Sequence, residues 1–171
     1  MSVKWAPFNV GCKGTLANNV GGYYNWGDAS GKNIDGEAKP YNLPRQKEPI
    51  SGSRLDIAHT NWENGWRMPT SEEFQELIDK CIWKMVNKRG EVPGYRVTGP
   101  SGKSIFLPFA GYRRGPAFFK QGVVGCYWSA SPYTEARQAA AYFLEMDGDV
   151  VSVSRGDFAS TGYSVRPVLD K

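Results

Sequence analysis

Pro69-Thr70-Ser71-Glu72-Glu73-Phe74-Gln75-Glu76-Leu77-Ile78-Asp79-Lys80-Cys81-Ile82 is the stretch that decides the fold class. Thr70 and Glu73 have the spacing of a capping box, in which each side chain satisfies the other residue's backbone N–H. Pro69 disfavours helix on its N-terminal side. Phe74, Leu77, Ile78, Cys81 and Ile82 recur at helical spacing and make one apolar face. The spacing predicts a helix from Thr70 to about Asn87, closed by Lys84, Lys88, Arg89 and then Gly90, which suits a negative helix C-terminus. A shorter helix is expected at Leu55–Asn61, with Leu55, Ala58 and Trp62 inward. Downstream the period changes. Tyr95–Thr98, Ser104–Leu107, Tyr127–Ser131, Ala141–Met146, Val150–Ser154 and Tyr163–Val168 read as strands. Gly99-Pro100-Ser101-Gly102 and Asp147-Gly148-Asp149 are turn signals between them. Helices followed by an antiparallel sheet predict an α+β fold.

The chain has 171 residues, of which 40% are hydrophobic and 22% charged. That length and composition predict a single domain with a sizeable core, and exclude a fibrous or disordered chain. No run of about 18 apolar residues could span a membrane as a helix. Met1-Ser2-Val3-Lys4-Trp5 has no apolar signal core, so no signal peptide is expected in this chain. The net charge of +4 is mild. The local excess at Lys84, Lys88, Arg89 and Arg96 reads as a solvated face, and no nucleic-acid partner is expected.

Aromatic residues and turn-formers are abundant, with 6 Trp, 9 Tyr, 8 Phe, 20 Gly and 11 Pro. They predict short strands and long, structured loops. No fixed period repeats along the chain. Residues 27–54 have no clear period and read as a long surface loop. The 3 cysteines, Cys12, Cys81 and Cys126, lie far apart, and His59 is the single histidine. Zinc signatures are absent. A Cys12–Cys126 bridge is open in an oxidising compartment.

Catalytic patterns are missing. The chain carries neither a phosphate-binding loop nor a dinucleotide fingerprint nor a nucleophile elbow. A general base would have to be His59, beside a short helix with Asp56 and Asn61. Asp147, Asp149 and Asp157 could in principle hold a hard cation, but they lack calcium-loop spacing and suit turn chemistry. No metal, no cofactor and no enzymatic activity are expected. The residues point to a binding or structural module.

Several boxes then carry a resemblance. Trp5-Ala6-Pro7-Phe8-Asn9-Val10-Gly11, Gly22-Tyr23-Tyr24-Asn25-Trp26-Gly27, Trp66-Arg67-Met68-Pro69-Thr70-Ser71-Glu72-Glu73-Phe74, Ile105-Phe106-Leu107-Pro108-Phe109-Ala110-Gly111-Tyr112-Arg113, Gly125-Cys126-Tyr127-Trp128-Ser129-Ala130-Ser131 and Gly162-Tyr163-Ser164-Val165-Arg166-Pro167-Val168 occur in order. They cover nearly the whole chain and resemble the Fibrobacter succinogenes major paralogous domain. The last two boxes also look like the frame of the variable proteins of diversity-generating retroelements. The resemblance implies a C-type-lectin-like fold, related to the formylglycine-generating enzyme scaffold. It implies a ligand surface between the last two boxes, at about 132–161.

In that family an RNA template is copied with adenine-specific errors, and diversified codons rarely give Lys, Gln, Glu, Met or Trp. None of these occurs from Asp147 to Arg166. The candidate ligand-binding residues are Tyr133, Arg137, Tyr142, Glu145, Ser152, Ser154, Arg155, Asp157, Phe158 and Ser160. Tyrosine and arginine among them are types enriched at binding hot spots. Trp66 and Trp128 are expected in the core. Arg67, Arg113 and Arg166 are expected to be structural, paired with carboxylates such as Glu72, Glu73 or Asp56. The sugar-binding calcium motif of animal C-type lectins is absent. So are the paired catalytic cysteines of formylglycine-generating enzymes. The partner implied is a protein or glycan on a cell surface, and the address an extracellular or cell-surface one, phage-borne proteins included. The alternative is a structural or adhesin-associated surface module without retroelement diversification.

Overall fold

A computed structural model describes residues 1–13, 20–33 and 41–171. Among the described residues two short helices accompany eleven strands, all paired antiparallel within their sheets, which is an α+β arrangement with β dominant. β1 (Val3–Trp5) pairs with β11 (Val168–Asp170), which brings the two ends of the described chain side by side. β2 (Ile82–Val86), β3 (Gly94–Thr98) and β4 (Ser104–Pro108) form a meander. β5 (Tyr112–Arg114) lies between β6 (Ala117–Phe119) and β10 (Thr161–Gly162). β7 (Gly125–Pro132), β8 (Ala140–Met146) and β9 (Val151–Phe158) form the sheet at the centre.

The helix α1 spans Ile57–Asn61 and α2 spans Ser71–Lys80. The capping box of α2 is complete: Glu73 N–H donates to Thr70 Oγ1 at 3.3 Å, and Thr70 N–H to Glu73 Oε2 at 2.8 Å. The helix stops earlier than its apolar spacing predicts. Cys81 is already extended, and Ile82–Val86 forms a strand in full register with Gly94–Thr98. Tertiary pairing overrides the helical period there, since Ile, Trp and Val suit a pleated surface. Trp83 turns inward against Tyr95, and its Nε1 donates to Leu77 O in the last turn of α2. Ile82 is left 74% exposed rather than on the buried face. Lys84, Lys88 and Arg89 therefore do not end a helix; Lys80 is the basic residue of that last turn.

The strand expected at Tyr163–Val168 is also different. Residues 161–168 are buried throughout, and their backbone pairs with a new segment every residue or two. Tyr163 exchanges hydrogen bonds with Tyr24, Ser164 O accepts from Trp128, Val165 O from Val10, and Pro167 O from Ala6. Val168 exchanges with Arg67 and only then enters β11. A run touching so many partners cannot form one ladder. The surface loop expected at 27–54 is partly interior. Its residues 34–40 lie outside the described residues, but Ile50 is buried and donates its N–H to Ala130 O. Tyr41 and Leu43 pack against the core.

Two clusters cover opposite faces of the β7–β8–β9 sheet. Tyr127, Leu144 and Met146 meet Phe74 and Leu77 of α2 on one side. Trp128, Ala130, Ala141 and Phe143 meet Trp26, Ile57, Met68 and Tyr163 on the other. Trp128 is in the core as expected, with Nε1 donating to Tyr24 O. Trp66 is only half-buried, edge-on to Trp62 with the Lys4 ammonium 5.9 Å from a ring centroid. Buried Asp56 caps α1 and gathers the N–H groups of Gly52, Ala58, His59 and Met68.

Arg67 has an expected carboxylate, Glu73, and is also bound by Asp170. Among the described residues, Arg113 donates to Asn25 Oδ1 and to the carbonyls of Gly115 and Asn33. Arg166, 2% exposed, donates to Asn9 Oδ1, Ala6 O and Phe106 O. Burial lowers its guanidinium to about 10. For Arg166 an amide oxygen and two backbone carbonyls, the latter without sequence signature, stand among the described residues where a carboxylate is expected. Cys126 has a free thiol, so no Cys12–Cys126 bridge is made.

Candidate ligand-binding face

The face is built by β8, β9 and the turn between β7 and β8. Trp128 pairs with Phe143 and Phe143 with Ser154; Cys126 pairs with Glu145 and Glu145 with Ser152. Cross-strand partners share a sheet face. This places Phe143, Glu145, Ser152 and Ser154 on the side away from α2. Ser154 Oγ donates to Glu145 Oε2 at 2.9 Å, and the Ser152 and Ser154 hydroxyls are 3.4 Å apart.

The ladder breaks between Ala141 and Phe143, where β9 carries one residue more than β8. Arg155 and Gly156 stand opposite Tyr142 in this bulge. Gly156 has φ +47°, and a Cβ there would overlap the Tyr133 ring. Bulges re-aim side chains and end pairing. Here Arg155 is turned to solvent. Tyr133 packs edge-on to Tyr142 at 5.5 Å and donates to Glu135 Oε2 at 2.9 Å.

The other named residues divide between two clefts. A cleft of about 270 Å³ takes Glu145, Arg155 and Asp157, with Arg114 of β5, Lys120 and the aromatic wall of Tyr112, Phe143 and Tyr163. Asp157 accepts from the Tyr163 hydroxyl at 2.6 Å and lies 3.8 Å from Arg114. Burial pushes the Tyr163 phenol well above its ordinary value. Cys126 lies at the base, its thiol pushed up to about 12 by burial, then by Glu145 and Asp157. A second cleft of about 260 Å³ takes Arg137, Phe158 and Ser160, faced by residues 41–45. Asp157 and Phe158 are neighbours in β9, yet each lines a different cleft.

The sequence reading missed Tyr112, Arg114, Lys120, Cys126 and Tyr163 in the first cleft. Tyr112, Cys126 and Tyr163 stand in the recognisable boxes, outside the 132–161 segment expected to carry the ligand surface. Residues 41–45 carried no periodic signal at all. Asp147 and Asp149 belong to turn chemistry: Asp147 Oδ1 accepts the N–H groups of Asp149 and Val150. Among the described residues, no group of three or more His, Cys, Asp or Glu side chains is placed to hold a metal ion. No helix of the described chain is long and apolar enough to cross a membrane.

Comparison with known proteins finds no matching family model, no matching curated protein and no matching solved structure.

Proposed function

We propose that the chain is a single, non-enzymatic recognition domain of C-type-lectin-like fold, a retroelement variable protein displayed outside the cell. It binds a protein or glycan through the 132–161 face. One observation carries the reading. The residues named for binding emerge half-exposed or exposed on β8, β9 and their flanks, while the flanking boxes are interior, with Trp128, Val165 and Arg166 buried. Side chains on such a face can be exchanged while a rigid scaffold holds them, which limits the ordering cost of binding.

The test is the DNA around codons 126–168. A near-copy beside a reverse transcriptase gene, differing at template adenines, supports the reading, and the changed codons name the contact residues. Its absence leaves a structural or adhesin-associated module. Independently, Tyr133, Arg155 and Phe158 replaced together by alanine should keep the far-ultraviolet circular dichroism and a cooperative thermal transition, and lose partner binding. Full retention of binding sinks the surface assignment.

A further inference from the structure

The cleft between residues 41–45 and the β9 end has a composition unlike its neighbour. Arg45 and Arg137 line it, and no carboxylate is among its described lining residues. The other cleft sets Glu145 and Asp157 against its cations. Arg45 gives one N–H to Thr134 O, which leaves most of its five-donor fork unused. Among the described residues, the side chains of Asn42, Arg137, Gln138 and Ser160 make no hydrogen bond. Phe158 is 51% exposed and stacks on no other described ring. In the other cleft the Tyr112 ring is already occupied, by Phe119 and by Arg114. Of these two clefts, this one brings together open donors, open amides and an open ring among the described residues.

We propose that this cleft binds one carboxylate-bearing sugar ring of an acidic glycan, without a metal ion. The inference rests on the reading of 132–161 as the binding face and names the ligand class for part of it. Its volume, about 260 Å³, lies below the roughly 300–1,000 Å³ of drug-sized pockets and suits a single ring. The carboxylate lies between Arg45 and Arg137, where charge-assisted hydrogen bonds are strongest. The apolar face of the ring lies on Phe158. Ring hydroxyls, which both donate and accept, match Asn42, Gln138 and Ser160. An acidic peptide side chain would satisfy the arginines and leave those three polar groups unmatched, so the sugar is the better fit.

The experiment is titration followed by saturation-transfer NMR, using methyl β-glucuronide, methyl β-glucoside and N-acetyl-aspartate methylamide as probes. The glucuronide should bind, with the glucoside and the aspartate each at least about tenfold weaker. Arg137→Gln and Arg45→Gln, both at exposed positions, should each weaken glucuronide by about tenfold. Phe158→Ala should abolish transfer to the ring protons, and EDTA should change nothing. Equal binding of glucoside and glucuronide overturns the inference, as does indifference to the arginine variants or loss in EDTA. Preference for the aspartate probe overturns it in favour of an acidic peptide. The locus test reads separately: an adenine-templated copy with no glucuronide binding refutes this ligand and leaves the recognition face standing.

Discussion

Arg67 grips Glu73 with both ends of its fork, Nη1 to Oε2 at 3.0 Å and Nη2 to Oε1 at 2.7 Å. Glu73 Oε2 is also the acceptor that completes the capping box with Thr70. One guanidinium thus fixes the start of α2, and its backbone is bonded to Val168 in both directions. Glu73→Gln keeps the shape and removes the charge. It should cost about 1.5–3 kcal/mol, the usual range for a hydrogen bond to a charged group. Urea unfolding would show a lower midpoint with an unchanged slope; an unchanged midpoint refutes the role.

Glu76 on α2 accepts from Lys80 and from the backbone and hydroxyl of Ser2. These bonds, Lys80 first, hold its carboxyl down from 4.5 to about 2. A carboxyl depressed in the folded state stabilises fully above its unfolded value and loses that contribution as pH falls through the folded one. The stability gap between the parent protein and Glu76→Gln should be largest above about pH 4.5 and close towards pH 2. A gap that stays constant over urea titrations at pH 6, 4 and 3 contradicts this.

Gly156 sits at φ +47° beneath the Tyr133 ring. Gly156→Ala combines an unfavourable left-handed backbone, worth about 1–2 kcal/mol, with displacement of that ring. Thermal unfolding should report the loss. The Tyr133–Tyr142 contact should break, visible as a changed tyrosine near-ultraviolet signal. An alanine variant with parental stability and spectrum would falsify the bulge assignment.

The Cys126 thiol lies on β7, 3% exposed and pushed up to about 12. Thiolate is the reactive form, so this residue should resist iodoacetamide at pH 8 in the folded protein and react in guanidinium. Peptide mass mapping distinguishes the two conditions. Prompt modification of folded Cys126 would show that the cleft base opens.

Local chemistry was readable in the sequence where one segment decides the outcome alone. The Thr70–Glu73 box, the Asp147 hairpin and the Gly99–Lys103 turn need only neighbours. The end of α2 was not readable, because Ile82 and Trp83 suit either state until Gly94–Thr98 arrives to pair with them. Arg113 and Arg166 read as interior in the sequence, but the described partners of Arg166 are Asn9 and two carbonyls supplied by chain folding. The residues of the candidate face are named from residue type and from resemblance. Its division into two clefts was not legible, since Arg45, Arg114 and Lys120 come from segments distant in sequence.

The stitched run at 161–168 also bears on how the molecule is made. Its hydrogen-bond partners were synthesised as far back as Ala6 and Val10. Loop closure over such separations delays folding. During synthesis the earlier segments therefore wait, with Trp26 and Trp128 incompletely covered, until residues 161–168 emerge. The growing chain depends on residues 161–168 for closure, and it is exposed to aggregation until they arrive.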